Sequence, residues 1–146
     1  MILTVLASVE SKTLVQEKQK LKAGEKLLNY IKNKKVSMSV CIQALLGYLS
    51  KSPSSFKQKR QKRAAAMFLL TLVQESPNLS VANRVFAVEA VGGNTSCLFE
   101  TVPYKAIEVA EGILKDQNAP LVYQRKAQLF LVNNKNKKRK KCSKEL

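Results

Sequence analysis

At 146 residues with 45% hydrophobic content, the chain is long enough for one domain with an ordinary core, so disorder throughout is excluded. Twenty-six Lys and Arg against ten Asp and Glu give +16, and such an excess repels itself unless an anionic partner or solvent offsets it. The absence of His and a single Asp, Asp116, leave no acid–base pair, triad or mixed zinc site, so an enzyme, a metal and a cofactor are not expected.

Only five Gly and four Pro, among many Leu, Val, Ala, Lys and Gln, favour an all-α fold. The opening Met1–Val9 has no positive n-region and is too short for a signal peptide. A leading helix is expected from about Ile2, with a break near Ser11, to Asn33. In it Leu14, Leu21, Leu27, Leu28 and Ile31 alternate with Lys18, Lys20, Lys22, Lys26 and Lys32, which suits the first helix of a stack better than a membrane surface. The second helix runs from about Ser39 to Leu49. Its Cys41, like Cys97 further on, sits among apolar residues as a small core side chain.

After the loop around Pro53, with Ser54 or Ser55 as cap, the third helix covers about Phe56 to Gln74. Its start carries Lys57, Lys59, Arg60, Lys62 and Arg63, positive charge where the helix dipole is also positive. That placement asks for an anion or an acidic partner, or for a solvated, frayed helix start. The next segment, Ala64 to Val73, is apolar for about ten residues and cannot span a bilayer, which needs about twenty.

A fourth helix, about Ser80 to Val91, is apolar nearly all round and ends at Gly92-Gly93-Asn94. The fifth, about Pro103 to Asp116, sets Ala106, Ile107, Val109, Ala110, Ile113 and Leu114 against Lys105, Glu108, Glu111 and Lys115. The sixth runs from about Pro120 to Asn133. Phe68, Phe86 and Phe130 are expected on buried helix faces, which leaves Phe56 beside Lys57 as the one aromatic placed for nucleic-acid stacking.

Lys135, Lys137, Lys138, Arg139, Lys140 and Lys141 follow, in a segment expected to be a disordered basic tail over 135–146. The strip has the form of a nuclear import signal; a solubilising tail or a phosphate contact has the same composition.

Residues 65–91 lie over 106–132 without a gap at a shift of 41. Leu72 meets Ile113, Glu75 meets Asp116, Val81 meets Val122, Arg84 meets Arg125, Val88 meets Leu129 and Val91 meets Val132. Each tract holds a helix, a break at Pro77 or Pro120, and a second helix. A weaker copy sets Val40–Leu46 under Val81.

Pro120, Gln124, Ala127, Phe130, Leu131 and Asn133 resemble the P-x-x-Q-x-x-A-x-x-A-L-x-N helix of armadillo repeats, with one extra residue before Gln124. Val122, Arg125 and Ala127 loosely resemble the second helix of HEAT repeats. The resemblance to this armadillo and HEAT class covers roughly Phe56 to Asn133. It implies a short right-handed stack of antiparallel helix pairs over residues 1–134, with a surface for binding protein.

The expectation is a nuclear, non-enzymatic interaction scaffold, with the cytoplasm as the alternative site. Its partner would be another protein with an acidic surface or peptide, met at Lys57, Lys59, Arg60, Lys62, Arg63, Arg84 and Arg125. The alternative is a helical nucleic-acid binder whose Lys and Arg clusters hold DNA or RNA phosphates. No membrane partner is expected. Exposed ends of a short stack predict self-association or membership of a longer chain.

Overall fold

The computed structural model of the chain describes residues 17–33, 37–53, 55–76, 78–92 and 98–134. Six helices account for most of them: α1 (Glu17–Lys32), α2 (Met38–Leu49), α3 (Phe56–Gln74), α4 (Val81–Gly92), α5 (Tyr104–Lys115) and α6 (Leu121–Asn134). The fold is all-α, with no strand among the described residues. None of these helices is long and apolar enough to cross a membrane.

Serines start three of the helices. The Ser37 hydroxyl accepts from the Val40 N–H at 3.4 Å, Ser55 from Gln58 at 3.1 Å and Ser80 from Asn83 at 3.3 Å. Each satisfies a first-turn donor that the helix itself leaves without a partner. Ser55 also donates to the Glu17 carboxylate, which brings an acid to the α3 N-terminus and offsets part of the positive charge there.

The chain divides into two compact units, and the division falls within α3, between Ala65 and Ala66. The first unit buries Leu27, Leu28 and Ile31 of α1 with Cys41, Ile42, Leu45, Tyr48 and Leu49 of α2. A polar chain crosses this core. The Tyr48 hydroxyl donates to Gln61 Oε1 at 2.6 Å, and Gln61 Nε2 donates to the Leu21 carbonyl at 2.9 Å. Gly24 makes room for it, since a Cβ there would overlap the Gln61 amide.

In the second unit Ala66, Leu69, Leu70 and Val73 are buried, as are Val85, Ala87, Val88 and Val91 of α4 and Ala106, Val109, Ala110 and Ile113 of α5. Helix α5 packs on both α4 and α6, and α4 also packs on α6. Gly92 lies against the Phe130 ring, and Asn134 Nδ2 donates to the Gly92 carbonyl at 3.2 Å, so the C-terminal ends of α4 and α6 meet. Lys105 Nζ donates to the Thr71 hydroxyl at 2.7 Å and ties the start of α5 to α3.

The corners of the second unit recur with a shift of 40, not 41. Arg84 donates to the Val73 and Ser76 carbonyls at 3.4 and 2.9 Å, and Gln124, forty residues later, donates to the Asp116 carbonyl at 2.9 Å. The backbone repeats with them: Leu79 donates to Ser76 as Ala119 donates to Asp116, and Arg84 to Ser80 as Gln124 to Pro120. At this shift Ala66, Leu69, Leu70 and Val73 fall on Ala106, Val109, Ala110 and Ile113, all buried, and Ala87 falls on Ala127.

The 41-residue pairing is therefore corrected. It matches half-buried Arg84 with exposed Arg125, and buried Val88 and Val91 with exposed Leu129 and Val132. Residue type alone favoured that pairing, whereas the corner geometry follows the side chain that can reach the preceding helix end. Phe86 is a second correction, being 41% exposed rather than on a buried face.

Candidate functional site

The first cluster begins at the N-terminus of α3, where Ser55 fixes the helix start. Lys57 and Arg60 are exposed there, and Lys59 and Arg63 are half-buried. Lys62 is not a surface residue: it is fully buried at 0% exposure. Its ammonium donates to the Tyr48 carbonyl at 2.6 Å and the Lys51 carbonyl at 3.1 Å, and lies 4.3 Å from the centre of the Tyr48 ring.

Lys62 is thus removed from the anion-binding set. Burying an ammonium is tolerated because carbonyls at the negative end of α2 and the ring face surround it. Arg84 leaves the set for a related reason, since its guanidinium serves the carbonyls that end α3. One device appears at three corners: Lys62 ends α2, Arg84 ends α3 and Gln124 ends α5, each from the following helix.

A cleft of 250 Å³ opens beside Arg84, lined by Gln74, Leu79, Glu108, Gly112 and Asp116 among others. It holds one cation already engaged with backbone carbonyls and two carboxylates, without a nucleophile or a His. Among the described residues no group of three His, Cys, Asp or Glu could hold a metal ion.

The charge is segregated along the chain. Residues 17–65 contain thirteen Lys and Arg against Glu17 and Glu25, a net of +11; residues 66–134 contain five against six, a net of −1. The tail residues Lys135, Lys137, Lys138, Arg139, Lys140 and Lys141 lie outside the described residues, as do Met1–Gln16, Pro77, Gly93, Asn94, Cys97 and Cys142.

Arg125 stays on the surface, in a setting not expected from the sequence. At 3.6 residues per turn, Leu121, Val122, Arg125, Leu129 and Val132 share the side of α6 opposite buried Ala127, Phe130 and Asn134. The four apolar members are 59, 56, 61 and 63% exposed, in that order. Matching Leu129 and Val132 to buried residues of α4 hid this patch.

Comparison of the chain with protein-family models, with curated proteins and with solved structures gives no match.

Proposed function

We propose that the chain is a non-enzymatic interaction module of the armadillo and HEAT type, working in the nucleus and binding a partner protein on its helical surface. The observation that carries this reading is the corner that recurs at forty residues, Arg84 over Val73 and Ser76, then Gln124 over Asp116. Repetition of one helix-corner-helix plan is the logic of stacked repeats, whose faces serve as binding surfaces. The exposed apolar side of α6 suits such a surface. The nuclear address rests on the Lys135–Lys141 strip alone.

A second reading has its own support in the +11 carried by residues 17–65, with Lys57 and Arg60 exposed. This would be a phosphate-dominated nucleic-acid binder, contacting DNA or RNA without base readout.

A salt titration of the full chain against unrelated duplex DNA and RNA separates the two. For an interaction module, nucleic-acid affinity is weak and vanishes when residues 135–146 are removed. Tight binding by the shortened chain, with a log–log salt slope of about −0.9 per phosphate contact, would instead establish the second reading. Replacing Lys137–Lys141 by Ala in a fluorescent fusion tests the address, and unchanged nuclear accumulation would remove it.

A further inference from the structure

We propose that the outward side of α6 is the docking site for an acidic amphipathic helix of a partner protein, whose carboxylates meet Arg125. The inference rests on the interaction-module reading and names the chemistry of its partner.

The forty-residue register shows that part of the matching side of α4 is covered. Arg125, Gln128 and Val132 occupy the positions of Val85, Val88 and Gly92, and all three of those are buried. At Gly92 the covering group is the Phe130 ring of α6, a helical neighbour. On α6 that side is exposed and Leu121, Val122, Leu129 and Val132 make it one apolar strip, where the α4 counterpart of Leu129 is the exposed, charged Glu89. An apolar strip along one helix side is what an amphipathic helix covers through residues three and four apart.

Charge narrows the occupant further. A helix seated on this strip would cover Arg125, which lies between Leu121, Leu129 and Val132 on the same side of α6. A covered guanidinium needs a carboxylate partner, preferably bidentate. Lys126 adds a second exposed cation at the margin, and α6 itself contains no acid. A second copy packing α6 against α6 would therefore set Arg125 and Lys126 against their own kind, a like-charge pairing that opposes the contact.

The test uses the full chain and an 18-residue synthetic helix with Leu at three- and four-residue spacing and Glu elsewhere. Its companions are a scrambled peptide of the same composition and one with Lys for Glu. Fluorescence anisotropy at about 0.15 M salt, where surface attraction is screened beyond roughly 8 Å, reads the affinities. The patterned Glu peptide is expected to bind, and the double variant Leu129→Ser/Val132→Ser to weaken it about tenfold or more. Arg125→Glu should reverse the preference, so that the Lys peptide binds better than the Glu peptide. The double variant Lys57→Gln/Arg60→Gln should leave the affinity unchanged.

Equal binding of the scrambled peptide would overturn the proposal, because charge alone would then suffice. So would a dimer of the full chain that the Leu129→Ser/Val132→Ser variant dissociates, since a second copy would be the occupant. Binding that Lys57→Gln/Arg60→Gln abolishes and the α6 variants do not would also overturn it, while leaving the interaction-module reading standing. Absence of any peptide binding would overturn this site, and the nucleic-acid salt titration would judge the wider reading separately.

Discussion

Arg84 and Gln124 do the same work forty residues apart: each stands at the fourth position of its helix and donates to carbonyls at the end of the helix before it. Carbonyls of a last helical turn have no partner within the helix, and a side chain arriving from the next helix fixes the corner as well as satisfying them.

The register makes a stability prediction. Arg84→Ala should cost about 1–2 kcal/mol, because it removes two charge-assisted hydrogen bonds at a half-buried corner. Arg84→Gln should recover part of that loss, since Gln does this work at position 124. Arg125→Ala should leave the unfolding midpoint where it is. Urea denaturation of the three variants measures this, and equal losses for Arg84→Ala and Arg125→Ala would restore the 41-residue pairing.

Helix positions were legible in the sequence because breakers and caps are local. Ser37, Ser55 and Ser80 sit one residue before their helices, and Pro120 one residue before α6. Burial of Cys41, Leu69 and Ile113 was legible for the same reason, as apolar side chains at helical spacing. The roles of Lys62 and Arg84 were not. A cation in a sequence looks alike whether it faces water or a helix end, and only the fold of the preceding corner decides. The outward side of α6 was hidden differently. Apolar residues lie nearly all round that helix, and periodicity cannot say which side the molecule covers.

Lys62 and its exposed neighbours should separate cleanly in experiment. Lys62→Met removes the buried donor to the Tyr48 and Lys51 carbonyls, for a loss of about 2 kcal/mol, with little change in affinity for an anionic polymer such as heparin. The double variant Lys57→Gln/Arg60→Gln should do the reverse, weakening heparin binding and lowering its salt slope by about two while the thermal midpoint holds. Thermal melts and a salt-dependent binding isotherm on both variants check this. A stable Lys62→Met protein with lost heparin binding would put that lysine back on the surface.

Two helical glycines should respond to alanine in opposite directions. A Cβ on Gly92 would overlap the buried Phe130 ring, and overpacking of about 1–3 kcal/mol exceeds the gain in helix propensity of about 1 kcal/mol. A Cβ on Gly112 of α5 meets open space, so Gly112→Ala should stabilise by about 0.5–1 kcal/mol. Differential scanning calorimetry of the pair reads the signs. Stabilisation by both would mean that α6 does not lie close against Gly92.

Cys41 gives the core a pH dependence. Burial raises its thiol above the ordinary value, against an opposing backbone hydrogen bond, so the folded chain keeps the proton when the unfolded chain has released it. Stability from this group is therefore full below the unfolded thiol's value of about 8.5 and falls as pH rises past it, because unfolding then releases a proton. The difference in unfolding free energy between the wild type and Cys41→Ala should be constant from pH 6 to about pH 8 and shrink above that. The same burial predicts that iodoacetamide modifies Cys41 at pH 8 only after denaturant is added. Mass spectrometry of the peptide holding Cys41 follows the reaction, and rapid labelling of the native chain would mean that α2 does not bury this thiol.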